Sequence, residues 1–243
     1  MNVVELLDVQ TAERRRACAI IETRGSGRSI TFGQLNERAA QAAALLNHHG
    51  VRPGKAVLIV HSMGIELYVA LAAIFRLGAI AMFIDPSADP RIIDNCCKLQ
   101  RPVAYFSGLL GQLLRLRYAA LRNITLNFST ARAVPGTIAW DSAAAFRPHR
   151  DLFAAGPQTG ALLTFTSGST GAPKGALRSH GVLLAQLKAL RETMQLTPGD
   201  VDLTTLPIVL LANLACGVTS IISDVDLRHP ARVDGARVYA DAV

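Results

Sequence analysis

One segment concentrates residues able to do chemistry: Thr166-Ser167-Gly168-Ser169-Thr170-Gly171, then Pro173-Lys174-Gly175 after a single alanine. Their types suit a polyphosphate. The glycines Gly168, Gly171 and Gly175 let backbone N–H groups approach oxyanions and curl into a concave nest. The hydroxyls of Thr166, Ser167, Ser169 and Thr170 can donate hydrogen bonds, and Lys174 supplies a compact positive charge for phosphate oxygens. This is not the Walker A arrangement, which needs Lys directly after Gly and a hydroxyl directly after Lys. Here Pro173 precedes Lys174 and Gly175 follows it. A Gly/Ser-rich surface turn is the bland alternative for SGSTG alone. The apolar run Ala161–Phe165 before it and the Pro-Lys-Gly after it favour the phosphate-binding reading.

Such a loop needs a strand before it and a scaffold behind it. Thr31-Phe32-Gly33-Gln34 reads as a capping box opening a helix whose apolar positions Leu35, Ala39, Ala42 and Leu46 recur at helical spacing up to Gly50. Strand-length apolar runs follow at 56–60, 79–85, 102–106 and 124–128. They alternate with helical patterns at 65–77, 91–99 and 109–121. Continuous apolar strands in this alternation predict an α/β fold with a parallel, doubly wound sheet and helices on both faces. Residues 129–158 are less regular, with one helix predicted near 142–146. A strand begins at Ala161, and a helix is expected from about Ser179. The predicted division is 1–158 as a first α/β subdomain with its connecting region, and 159–243 as the start of a second subdomain carrying the phosphate loop.

Composition narrows the function classes. Half of the 243 residues are hydrophobic and 18% are charged, which excludes intrinsic disorder as the main state. Four Cys, two of them adjacent at Cys96 and Cys97, give neither a disulfide framework nor zinc spacing, and fit a reducing, cytoplasmic location. The net charge of +7 comes from 21 Arg and 4 Lys against 18 acidic residues. The arginines are scattered, and only Arg14-Arg15-Arg16 forms a run with few aromatics nearby, so a nucleic-acid partner is not expected. The N-terminus has no signal-peptide pattern. The apolar stretches at 65–84 and 206–223 are interrupted by charged, polar or Pro/Gly residues, so no transmembrane span is predicted. Peripheral membrane contact stays open.

Other candidates weigh less. His180, just past the loop, reads either as a phosphate contact or as a helix-start residue. His61 follows the C-terminal end of a strand, where α/β folds place ligands. His48 and His49 end a predicted helix, and Cys216 reads as a small core residue.

The string Thr164-Phe165-Thr166-Ser167-Gly168-Ser169-Thr170-Gly171-Ala172-Pro173-Lys174-Gly175 resembles the phosphate-loop signature of the adenylate-forming enzymes, which include acyl-CoA synthetases and peptide-synthetase adenylation domains. The resemblance extends to Ser29–Leu35, Gly50–Lys55, Arg76–Ile80, Ile84–Ser87 and Asp202–Pro207. Within the family, Val201–Pro207, Ala215–Ile222 and Asp224–Pro230 are similar to the branch of fatty-acyl ligase-like proteins and olefin β-lactone synthetases. The resemblance implies ATP and Mg2+, with CoA as a common acceptor, and a small-molecule carboxylic acid as substrate. It places Thr166, Ser167, Gly168, Ser169, Thr170, Gly171, Lys174 and Gly175 on the ATP phosphates.

The chain also departs from the family pattern. Ile208 and Val209 stand where many members carry an aromatic–His pair. The family's magnesium-binding Glu segment and C-terminal catalytic Lys are not found, so no catalytic or metal-binding residue is assigned. The sequence is therefore expected to represent the N-terminal portion of a ligase that is inactive alone. Completion by another polypeptide, self-association, and a noncatalytic nucleotide-binding remnant are the alternatives.

Overall fold

A computed structural model of the chain describes residues 1–24, 27–167, 173–224, 233 and 235–236. The chain opens with helix α1 (Val4–Arg14), strands β1 (Cys18–Glu22) and β2 (Arg28–Thr31), and helix α2 (Phe32–His48). Alternation then sets in: β3 (Ala56–Val60), α3 (Ile65–Arg76), β4 (Ile80–Phe83), α4 (Pro90–Gln100), β5 (Ala104–Ser107), α5 (Leu109–Arg117) and α6 (Ala119–Arg122). Next come β6 (Leu126–Ser129), β7 (Ile138–Ala139), a 3-10 helix (Trp140–Ala145), β8 (Gly160–Ser167) and β9 (Pro173–Ser179). The last elements are α7 (His180–Met194), β10 (Val201–Leu203), α8 (Pro207–Cys216) and β11 (Thr219–Ile222).

Contacts divide the chain into two units. The first comprises Met1–Val4, Arg38–Ser62 and Val69–Leu183. Its seven-stranded sheet runs in the order β7-β6-β5-β3-β4-β8-β9. Every neighbouring pair is parallel except β8 with β9. This is the parallel α/β sheet the alternating pattern predicts. Its centre is apolar: Leu58 of β3 stands in register with Met82 of β4 and Tyr105 of β5, all three fully buried. Such doubly buried strands read as unbroken hydrophobic runs, which is why they are visible in the sequence.

The helix expected over 109–121 is broken at Tyr118. That residue adopts an extended conformation (φ −112°, ψ 116°) between α5 and α6, and its ring enters the core cluster with Cys97, Tyr105 and Leu121. The helix expected near 142–146 is the short 3-10 turn. Its Trp140 packs on Phe106 with ring centroids 4.6 Å apart.

The second unit comprises Glu5–Glu37, Met63–Tyr68 and the chain from Leu184 onward. Its four-stranded sheet runs β10-β11-β1-β2, with β1 parallel to β11 and antiparallel to β2. The capping box forms as its residues require: Gln34 N donates to Thr31 Oγ1 at 3.2 Å, and Thr31 N donates to Gln34 Oε1 at 3.0 Å. Asn213 of α8, fully buried, ties the helix to the sheet. Its Nδ2 donates to Asp202 Oδ2 (2.8 Å), Thr204 Oγ1 (3.0 Å) and Ser220 Oγ (2.9 Å). Cys216, near the C-terminus of α8, is buried among core residues as its apolar surroundings predict.

Candidate functional site

The two ends of the segment 166–175 lie on the antiparallel strands of a β-hairpin. β8 runs parallel to β4 and returns as β9, with Thr166 paired to Lys174 and Ser167 to Pro173. Thr166 and Ser167 are thus the last two residues of β8. Gly168, Ser169, Thr170 and Gly171 lie outside the described residues. Lys174 and Gly175 are not loop residues, as the sequence pattern suggested, but the second and third residues of β9. β9 was not legible because it alternates weakly: Leu177, on its more apolar face, is 57% exposed at the sheet edge.

The hairpin has two unlike faces. Pleating puts Lys174, Ala176 and Arg178 on one side and Gly175 and Leu177 on the other. On the cationic side Lys174 is exposed, and Arg178 Nη1 donates to Thr164 Oγ1 at 3.2 Å. On the apolar side Gly175 stands opposite Phe165. A Cβ added to Gly175 would lie 3.3 Å from both Leu163 Cδ1 and Phe165 Cε1. Leu163 belongs to the core cluster and Phe165 packs against it. Glycine at 175 therefore lets the hairpin press onto the core, while the amine one residue earlier faces outward. The loop reading gave Gly175 a different reason, conformational freedom.

Because β8 is parallel to β4, the connection from β8 to β9 leaves the sheet at its C-terminal edge. That is where open α/β sheets bind ligands. The same edge carries His61 after β3, Asp85 after β4, Gly108 after β5 and Thr130 after β6. The imidazole of His61 is stacked on Phe106 with centroids 5.2 Å apart. Its Nε2 lies 3.1 Å from Thr130 Oγ1, and its Nδ1 lies 2.8 Å from the Ser62 carbonyl oxygen. Asp85 accepts from Ser87 N (2.8 Å) and Ser87 Oγ (2.6 Å), and these bonds hold its carboxyl below the usual carboxylate range.

His180 takes the helix-start role. It is fully buried at the beginning of α7, its Nδ1 accepts from Val3 N at 3.2 Å, and it meets the Phe75 ring edge-on at 5.9 Å. His48 ends α2 and His49 follows it, and they touch Phe146 and Phe128 respectively. Among the described residues no group of three or more His, Cys, Asp or Glu is arranged to hold a metal ion. No helix among them is long and apolar enough to cross a membrane.

A family model described as AMP-binding enzyme matches residues 7–228. The chain belongs to the AMP-binding enzyme family. Similar family members include an olefin beta-lactone synthetase from Xanthomonas campestris pv. campestris, 32% identical over 222 residues. That match covers 87% of this chain and 38% of the relative. A 3-hydroxybenzoate–CoA ligase from Aromatoleum is 26% identical, over 82% of this chain and 40% of the relative. Among solved structures, a benzoate CoA ligase from Burkholderia xenovorans superposes with a TM-score of 0.81 at 20% identity, over 99% of this chain and 47% of that one. That likeness shows the fold. The chain spans about two-fifths of the length of the curated relatives it matches.

Proposed function

We infer that these residues form the phosphate-gripping part of an ATP-dependent acyl-adenylate-forming ligase. The overall reaction is of a carboxylic acid, of fatty type, with ATP to give acyl-adenylate and pyrophosphate, followed by acyl transfer to a thiol such as that of CoA. The observation that carries the reading is the hairpin. It sets the exposed Lys174 in register with Thr166, next to the end of β8 at the ligand-binding edge of a parallel sheet. The donor set fits a polyphosphate: Thr166, Ser167, Ser169 and Thr170 offer hydroxyls, Gly168 and Gly171 offer approachable N–H groups, and Lys174 offers charge.

The chemistry assigned to these residues is electrostatic. They hold the β- and γ-phosphates and stabilise charge developing on the leaving pyrophosphate. Magnesium would supply further neutralisation of the phosphates. The described residues contain no metal-ligand cluster, so no step here is assigned to it.

A second reading concerns the acid. Identity of 32% and 31% to two olefin beta-lactone synthetases favours a β-hydroxy acid, whose own hydroxyl would close on the activated carboxyl in place of the thiol. Ile208 and Val209 at the start of α8, in place of an aromatic–His pair, are compatible with that choice.

The test is equilibrium binding of ATP to the 243-residue chain and to Lys174→Ala. Loss of one charge-assisted contact is expected to weaken binding by about ten-fold or more. Unchanged ATP affinity in the variant overturns the assignment of Lys174. Because the chain spans two-fifths of its relatives, carboxylate-dependent pyrophosphate exchange is expected only from a longer polypeptide that contains it. Comparing fatty with β-hydroxy fatty acids in that assay separates the two readings.

A further inference from the structure

Helix α5 is built inside out. Its inward side is Gly111 and Gln112, with one leucine, Leu114, partly buried against the core cluster. A Cβ on Gly111 would lie 2.8 Å from the Val60 carbonyl oxygen, so only glycine lets the helix sit this close to the sheet. Gln112 is 5% exposed, donates from Nε2 to the Phe128 carbonyl at 3.3 Å, and accepts from Arg115 Nη1 at 3.0 Å. Its outward side is apolar. Leu109, Leu110, Leu113 and Leu116 are 57%, 79%, 51% and 74% exposed. At 3.6 residues per turn these four share an arc of about 120°. A helix on the surface of a protein in water shows the opposite pattern. Neighbouring α4 does so, burying Ile93, Cys96 and Cys97.

The charge around this ridge has one sign. Residues 95–140 contain no Asp or Glu, but carry Lys98, Arg101, Arg115, Arg117, Arg122 and Arg132. Arg117 falls within the leucine arc, and both it and Arg122 are exposed. Arg122 Nη1 donates to the Leu116 carbonyl at 2.8 Å and Arg117 stacks on the Tyr118 ring, yet no carboxylate in this stretch neutralises either charge, so the apolar ridge calls for an occupant that is apolar below and anionic above. A second copy of the chain would bring like charge against like.

We propose that α5 lies in the headgroup region of an anionic bilayer, with the four leucines entering the acyl boundary and the arginines meeting lipid phosphates. This stands independently of the nucleotide reading, since no residue of the hairpin takes part.

The experiment is co-sedimentation of the full 243-residue chain with phosphatidylcholine vesicles, with and without phosphatidylglycerol. Binding is expected with phosphatidylglycerol only and is expected to fall as salt is raised. The double variant Leu110→Glu/Leu116→Glu is expected to lose about ten-fold or more in partitioning. Its circular dichroism is expected to stay unchanged, because both side chains are exposed. Lys174→Ala is expected to bind vesicles like the parent. Equal partitioning of the double variant and the parent, or no binding to either vesicle, overturns the proposal. So does a dimer in solution that the double variant dissolves without vesicle binding, because the ridge then belongs to a second copy.

Discussion

The seven-stranded sheet takes five parallel strands in succession from Ala56 to Ala139, whereas the four-stranded sheet joins β1 and β2, from residues 18–31, to β10 and β11, from residues 201–222. The first is assembled from neighbours in the chain. The second closes a loop of nearly the whole described length. The strands also differ in kind. β3 and β5 are buried along almost their entire length, while β2 and β10 are partly exposed. A sheet of buried apolar strands is held by apolar packing. A sheet of half-exposed strands leans on specific polar ties, here the Asn213 network and the capping box at Thr31.

That contrast can be broken by mutation. Leu58→Ala removes a fully buried side chain from the middle of the large sheet and is expected to cost about 2–5 kcal/mol in urea unfolding. A cost below about 1 kcal/mol would mean that packing at β3 is not what holds this sheet. Asn213→Ala deletes one donor shared by Asp202, Thr204 and Ser220 and is expected to cost about 2–3 kcal/mol. Amide exchange at Thr219–Ile222 should rise with it; unchanged exchange there would show that apolar contacts suffice for the small sheet too. Thr31→Ala removes the side-chain half of the capping box. A loss of about 1 kcal/mol is expected, with Thr31→Ser restoring most of it.

The smallest effect concerns Cys97 in α4. Burial pushes its thiol up to about 12, with Cys96 and Asp94 adding to the shift. The folded state therefore keeps this proton longer than the unfolded chain, where an ordinary thiol titrates near 9.0. The stability this contributes is complete below that value and is lost as pH rises towards 12. Alkylation of Cys97 at pH 8 is expected to be slow in the native protein and rapid in denaturant. Fast native labelling would show that the α4 face opens.

The candidate site was legible in part. The residue types of 166–175 pointed to phosphate because glycine, hydroxyl and lysine have few other reasons to cluster behind an apolar strand. The return strand β9 was not legible, because its outer side faces solvent at the sheet edge and its inner side holds a glycine where an apolar side chain would signal a strand. The inversion of α5 was equally hidden. Leu109, Leu113 and Leu116 have the spacing of a buried stripe, and only the approach of Gly111 to Val60 shows that the helix turns the other side inward.

Local rules determined what one stretch of sequence could decide unaided. Apolar runs became strands, the Thr31–Gln34 reciprocity opened α2, Pro90 opened α4, and the alternation of types required a parallel sheet. Tertiary structure decided what depends on partners distant in the chain. It set the pairing of β1 with β11, the break at Tyr118 where a buried ring outweighs helix continuity, and the face of α5 left to the surroundings. Periodicity records that a helix or strand has two unlike sides. It does not record which side the rest of the molecule covers, because that depends on close contacts such as Gly111 with Val60, made between residues far apart in sequence.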